Sequence, residues 1–130
     1  LIAAGIPILA QEDFLGYEYV PENVSVDFCL RVKGDSMIGA RILDGDLVYI
    51  RKQPDVENGE IAAVMIGGDE ATLKRVYKIN GSVIIRAENP AYQDKTFSKK
   101  DIRNISIIGK AIFFRSEVVI SGHHICGQRC

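Results

Sequence analysis

The sequence predicts a mostly-β domain, with strongly bent sheets in a barrel-like arrangement and little helix. Three observations lead there. Short apolar runs recur along the chain, and several alternate with the period of two that marks a strand with two unlike faces. They are separated by Asp44-Gly45-Asp46, Asn58-Gly59, Gly67-Gly68-Asp69 and Asn80-Gly81, whose glycines suit tight reversals between strands. No stretch sustains a 3.6-residue period, and the best helical candidate is a single turn near residues 36–42. With 130 residues, 47% of them hydrophobic and 25% charged, the chain can build one real core but not two ordinary ones. We therefore expect one domain over residues 1–117 and a tail over residues 118–130.

The elements follow in chain order. Residues 1–10, LIAAGIPILA, carry no charge and no hydrogen-bonding side chain. The stretch is half the roughly 20 residues a spanning helix needs. Gly5 and Pro7 oppose helix, and no basic residue precedes it, so neither a secretory signal nor a membrane anchor is expected. It reads as an edge strand or as an extended segment that docks on the domain. Residues 27–33 alternate, with Phe28, Leu30 and Val32 on one face and Cys29, Arg31 and Lys33 on the other. Residues 47–50 form a short apolar run after the Asp-Gly-Asp turn. Residues 61–66 and 71–79 form a hairpin about Gly67-Gly68-Asp69, and residues 82–87 return after Asn80-Gly81. Glu88-Asn89-Pro90 breaks the chain. Residues 105–114 make a long final strand, with Gly109 expected as a bulge.

Charge and cysteine content narrow the function classes. A formal net charge of −1 argues against this domain gripping a phosphate backbone, which needs a basic excess. Three cysteines make no disulfide framework, so a reducing cytoplasm is expected. His123, His124, Cys126 and Cys130 in the tail match no standard zinc spacing, so no metal and no cofactor is expected.

One constellation could carry chemistry. In Lys33-Gly34-Asp35-Ser36-Met37 a strand ends at a glycine and a serine follows at the break. Such a serine can serve as an ordinary turn or capping residue, or it can point its hydroxyl off the sheet end as a nucleophile. A nucleophilic serine needs a base. The only histidines lie in the tail, which leaves lysine as the next candidate. Lys74, in Ala71-Thr72-Leu73-Lys74-Arg75-Val76-Tyr77, shares a face with Thr72 and Val76. Each face of that run carries one cation, so periodicity leaves open whether Lys74 is a surface lysine or a buried base. As a base it must be neutral, which an apolar pocket favours by lowering its pKa. Ser–Lys pairs are a known variant of the Ser–His–Asp logic.

Several runs together carry a resemblance. They are Val32-Lys33-Gly34-Asp35-Ser36-Met37, Ile42-Leu43-Asp44-Gly45-Asp46-Leu47-Val48, Ala71-Thr72-Leu73-Lys74-Arg75 and Glu88-Asn89-Pro90. In order and spacing, including the 38 positions from Ser36 to Lys74, the chain resembles the C-terminal domain of LexA-type self-cleaving repressors over nearly all of residues 3–114. That family includes phage repressors and an accessory subunit of error-prone DNA polymerase. The resemblance implies that Ser36 and Lys74 are a catalytic dyad and that the backbone N–H groups of Asp35 and Ser36 form the oxyanion hole. It also implies that the Ala4-Gly5 bond is the chain's own substrate, so that the opening segment is a cleavage site.

It implies a homodimer in the cytoplasm, away from the membrane. A RecA filament on single-stranded DNA would trigger the cut after DNA damage and relieve repression. Operator DNA would be read by an N-terminal helix-turn-helix domain outside this sequence. Residues 105–114 are a candidate dimer contact or a plain core strand. The alternatives are the polymerase accessory subunit, whose bond typically begins with Cys rather than Ala, and a non-enzymatic β-rich interaction module. A signal peptidase uses a related Ser–Lys pair but needs a membrane anchor.

Overall fold

Nine strands organise the chain in a computed structural model that describes residues 3–10, 13–68 and 71–117. They are β1 (Ala3–Ala10), β2 (Asp13–Pro21), β3 (Phe28–Arg31), β4 (Leu47–Lys52), β5 (Ile61–Ile66), β6 (Thr72–Ile79), β7 (Ser82–Arg86), β8 (Lys95–Phe97) and β9 (Ile105–Arg115). The helical content among the described residues is two single 3-10 turns, Ile38–Ala40 and Ile102–Asn104. The mostly-β expectation is met. The spatial order is β2-β1-β3-β4-β9-β5-β6-β7-β8, which has two edges and so is an open sheet and not a closed barrel. Neighbours pair antiparallel except β1 and β3, which run parallel with Ile8 opposite Cys29 and Leu9 opposite Leu30.

The alternation in the sequence does not divide core from solvent, because the central strands are buried on both faces. Phe28 and Leu30 join Met37, Ile42, Val48, Ile50, Ala63 and Leu73 in one cluster. From the other face of the same strands, Cys29, Leu47 and Tyr49 pack with Val20 of β2. A third cluster, of Val56, Ala62, Val64, Val76, Val83 and Ile85, holds the β5–β6–β7 meander. Each fully buried aliphatic side chain stabilises the fold by about 1.5–3 kcal/mol.

Two features set the geometry that matters for function. The first is the position of the β1–β2 hairpin. Adjacent strands lie about 4.8 Å apart, so a flat sheet would hold β2 far from β4 and β9. Instead the Tyr49 hydroxyl donates to the Glu18 carboxylate at 2.7 Å, and Arg115 pairs with the same carboxylate at 2.5 Å. The hairpin is therefore folded over the Cys29–Tyr49 face. The second is Asp46, only 1% exposed, whose carboxylate accepts from the Leu43 N–H at 2.8 Å and the Ser116 hydroxyl at 2.6 Å. It ties the Asp44-Gly45-Asp46 turn to the chain beyond β9.

The expected bulge at Gly109 is corrected. The register of β9 shifts on either side of it, between Ile107 and Gly109 against β5 and between Ala111 and Phe113 against β4. Gly109 itself is in register with both Ala63 and Lys52. Glycine is needed there for closeness, since a Cβ would lie 2.4 Å from the Arg51 carbonyl oxygen. The final strand runs between β4 and β5, with β5 paired to its residues 105–110 and β4 to its residues 109–115. Near its end the side chains of Phe113 and Phe114 are part exposed. The tail, including His123, His124, Cys126 and Cys130, lies outside the described residues.

Candidate active site

Ser36 and Lys74 come from opposite sides of the core and meet. β3 ends at Arg31, and Gly34 takes a φ of +91°, a backbone region that favours glycine. The Gly34 N–H donates to the Asp44 carboxylate at 2.7 Å, which fixes the start of the turn that carries Ser36. Met37, 2% exposed, anchors the other side of the serine in the core. Lys74 stands mid-strand on β6, opposite the fully buried Ala62.

Its Nζ lies 3.2 Å from Ser36 Oγ and 2.9 Å from Thr72 Oγ1. A cavity of about 80 Å³ opens beside the pair, lined among others by Leu30, Val32, Met37 and Leu73. The Lys74 amine is held below its ordinary pKa of 10.5, first by burial and then by the cation of Lys95. Both causes favour the neutral amine, whose lone pair can accept the serine proton. The separation is within the reach of direct proton transfer.

The turn that bears the serine is braced on its far side. Asn89 Nδ2 donates to the Asp35 carbonyl at 2.9 Å, and the Tyr92 hydroxyl donates to the Asp35 carboxylate. The Gly39 N–H donates to the Glu88 carbonyl at 2.7 Å, and the Glu88 carboxylate pairs with Arg75, the neighbour of Lys74. Among the described residues no acceptor takes the N–H of Asp35 or of Ser36. The Gly34 N–H is already engaged, so of this turn's first three amides these two are the ones open to a substrate oxygen.

Ala4 and Gly5 are not brought to this pair. Both belong to β1, where Ala4 is in register with Val20 and Gly5 with Tyr19 of β2. The parallel register of Ile8 with Cys29 directs the Ala4-Gly5 bond toward the start of β3, whereas Ser36 follows its end. Sequence reasoning missed Thr72 as a partner of the amine, Lys95 as a neighbouring charge, and the roles of Asn89 and Tyr92. Only Thr72 carried a local signal, its place two residues from Lys74 on one strand face. Among the described residues there is no group of three or more His, Cys, Asp or Glu side chains that could hold a metal ion. No helix among them is long and apolar enough to cross a membrane.

Comparison with known proteins supplies the family. Residues 1–112 match Peptidase S24-like. The chain belongs to that family. This S24-like chain is 42% identical to the LexA repressor of Deinococcus radiodurans over 107 residues, which cover 78% of this chain and 51% of that protein. It is 43% identical to the LexA repressor of Desulfitobacterium hafniense over 114 residues, 85% of this chain and 53% of that one. For the LexA repressor of Nocardioides sp. the identity is 51% over 94 residues, 70% and 38% of the two chains. The S24-like chain thus spans about half the length, or less, of the curated relatives it matches.

Proposed function

We propose that this chain is the C-terminal, self-cleaving and dimerising part of a LexA-like transcriptional repressor, and that Ser36 and Lys74 are its catalytic dyad. The observation that carries this reading is the 3.2 Å contact between Ser36 Oγ and a half-buried Lys74 amine whose pKa is lowered. Neutral Lys74 takes the Ser36 hydroxyl proton as Oγ attacks the Ala4 carbonyl carbon. The developing oxyanion is met by the N–H groups of Asp35 and Ser36, each worth about 3 kcal/mol in comparable sites. As the Ala4–Gly5 C–N bond breaks, Lys74 returns its proton to the Gly5 nitrogen. Water then attacks the ester carbonyl, Lys74 accepts its proton and passes it to Oγ, and Ser36 is regenerated. One product ends in the Ala4 carboxylate and the other begins with the Gly5 amine.

The bond must first leave its ladder. With Ala4 and Gly5 paired to β2 and directed away from Ser36, the observed rate is the intrinsic rate multiplied by the small fraction of chains whose β1 has moved into the cleft. This makes cleavage slow by default and open to control. In the full repressor, a RecA filament on single-stranded DNA would raise that fraction after DNA damage. A DNA-reading domain, dimerised through this one in the cytoplasm, would release its operator once cut. The groove of about 330 Å³ bordered by Ala40, Ile61, Phe113 and Phe114 is the place on β9 where a second copy would seat. The same self-cleavage would suit the accessory subunit of an error-prone polymerase, but Ala4 at the bond favours the repressor.

The test is incubation of the purified chain from pH 7 to 10 with the products identified by mass. Cleavage at Ala4-Gly5 should accelerate with pH and level off above the lowered Lys74 pKa, because only the neutral amine works. Ser36→Ala should reduce the rate at least roughly a thousandfold. A rate that ignores pH, or a Ser36→Ala chain that still cuts, overturns the dyad.

A further inference from the structure

The bracing of the serine turn has a directional consequence. The Asp35–Ser36 peptide is trans, so the Asp35 carbonyl and the Ser36 N–H point in opposite directions within one rigid plane. Asn89 Nδ2 holds that carbonyl at 2.9 Å from the loop after β7. Holding the oxygen outward turns the Ser36 N–H inward, where it has no partner among the described residues. We infer that Asn89 is a positioning residue for self-cleavage: it aims the Ser36 N–H at the oxygen of the bond being cut, and Tyr92 steadies the same unit through the Asp35 side chain. The inference rests on reading Ser36 and Lys74 as the dyad.

The loop is suited to this task because it is tied to the base as well as to the nucleophile. Glu88 pairs with Arg75, one residue from Lys74, while its carbonyl receives the Gly39 N–H just past Ser36. The contact at Gly39 is close, with a Cβ there falling 2.7 Å from the Glu88 oxygen. Residues 88–92 therefore fix the distance between the serine turn and β6 as well as the tilt of the serine peptide. Asn89 also keeps its own loop in shape, since its Oδ1 accepts the Ala91 N–H at 2.9 Å. That second bond gives a way to separate positioning from mere loop formation.

Asn89→Asp keeps an oxygen for the Ala91 N–H but has no N–H to offer the Asp35 carbonyl. The experiment compares wild type, Asn89→Asp, Asn89→Ala and Tyr92→Phe in rate-against-pH profiles of self-cleavage, with thermal melts of each. Expected is a fall of about 10- to 100-fold in the high-pH plateau for both Asn89 variants, short of the roughly 10²–10³ seen when an oxyanion donor is removed outright. The midpoint of the profile, which reports Lys74, should stay in place. Tyr92→Phe should lower the plateau by about 3-fold, since it steadies the unit without gripping the peptide.

A loop-forming role alone predicts a normal Asn89→Asp plateau, and that result overturns the inference. So does a slower Asn89→Asp chain whose loss is wholly a shifted midpoint, which would make the effect one on the base. Should Asn89→Ala melt below the assay temperature, the Asn89→Asp and Tyr92→Phe plateaus decide. Wild type that fails to cut, or Ser36→Ala that cuts, sinks the dyad itself and is thus told apart from failure of the Asn89 assignment.

Discussion

The Ser36 turn and the β1–β2 hairpin are built on opposite plans. The turn is held from every side: Asp44 grips Gly34, Asn89 and Tyr92 grip Asp35, Met37 is sunk in the core, and Lys74 lies against Ser36 itself. The hairpin is held by its own ladder, by two residues of parallel pairing with β3, by Val20 and Leu9 packed on the core, and by Glu18 reaching over to Tyr49 and Arg115. Its outer side chains Leu15, Tyr17 and Tyr19 are exposed. On the proposed reading, the difference teaches that the chemistry is assembled in advance and that control belongs to the segment to be cut. Little would then need to move around the serine, whereas the bond would have to travel.

That contrast can be broken or sharpened by substitution. The largest effect is expected from Asp46→Ala, which orphans the Leu43 N–H and the Ser116 hydroxyl and loosens the turn that supplies Asp44. Denaturant melts should show a loss of about 2–3 kcal/mol, and labelling of Ser36 by a fluorophosphonate should slow with it. Thr72→Val removes the second hydroxyl on the Lys74 amine and should cut the cleavage rate about 10-fold, with the fold's melting point nearly unchanged.

Glu18→Ala acts on the other region. Releasing the hairpin should raise self-cleavage about 5-fold if its hold on the parked position is about 1 kcal/mol, while the fluorophosphonate rate stays put. A Glu18→Ala chain that labels faster would show the two regions to be coupled.

The smallest effect concerns stability. Lys74 has a folded-state pKa below its ordinary 10.5, so its burial costs stability while it is protonated in both states. As pH rises through the lowered value toward 10.5, the folded chain sheds the proton first and the cost shrinks. Lys74→Met should therefore raise Tm by about 2–4 °C at neutral pH, and the gain should dwindle in alkali. A gain that is constant with pH would remove desolvation as the cause.

How much of this could be read from the residues follows from which interactions are local. β3 to β7 and β9 were legible to within a residue or two at most ends, because alternating runs and Gly-containing turns announce themselves over a few positions. β2 was not, since its polar and glycine positions look like loop until Glu18 finds Tyr49 and Arg115. β8 is three residues long and mostly exposed, too brief for a pattern. The burial of Lys74 was undecidable from period two because β6 is packed on both faces, by Leu73 on one and Val76 on the other. The bonds of Asn89 and Tyr92 to Asp35 span 54 and 57 positions, and no local window contains them.

Cys29 lies beneath the hairpin, fully enclosed with Val20 above it and its thiol pushed up to about 12, chiefly by burial. In the parked arrangement it is inert, since the thiolate is the reactive species. If cleavage proceeds as proposed, lifting of the hairpin would bring that sulfur to solvent and open it to alkylation. Cys29 would thus serve as an internal clock for that opening, and the pace at which a maleimide consumes it would time how often the proposed scissile bond sets out toward the serine.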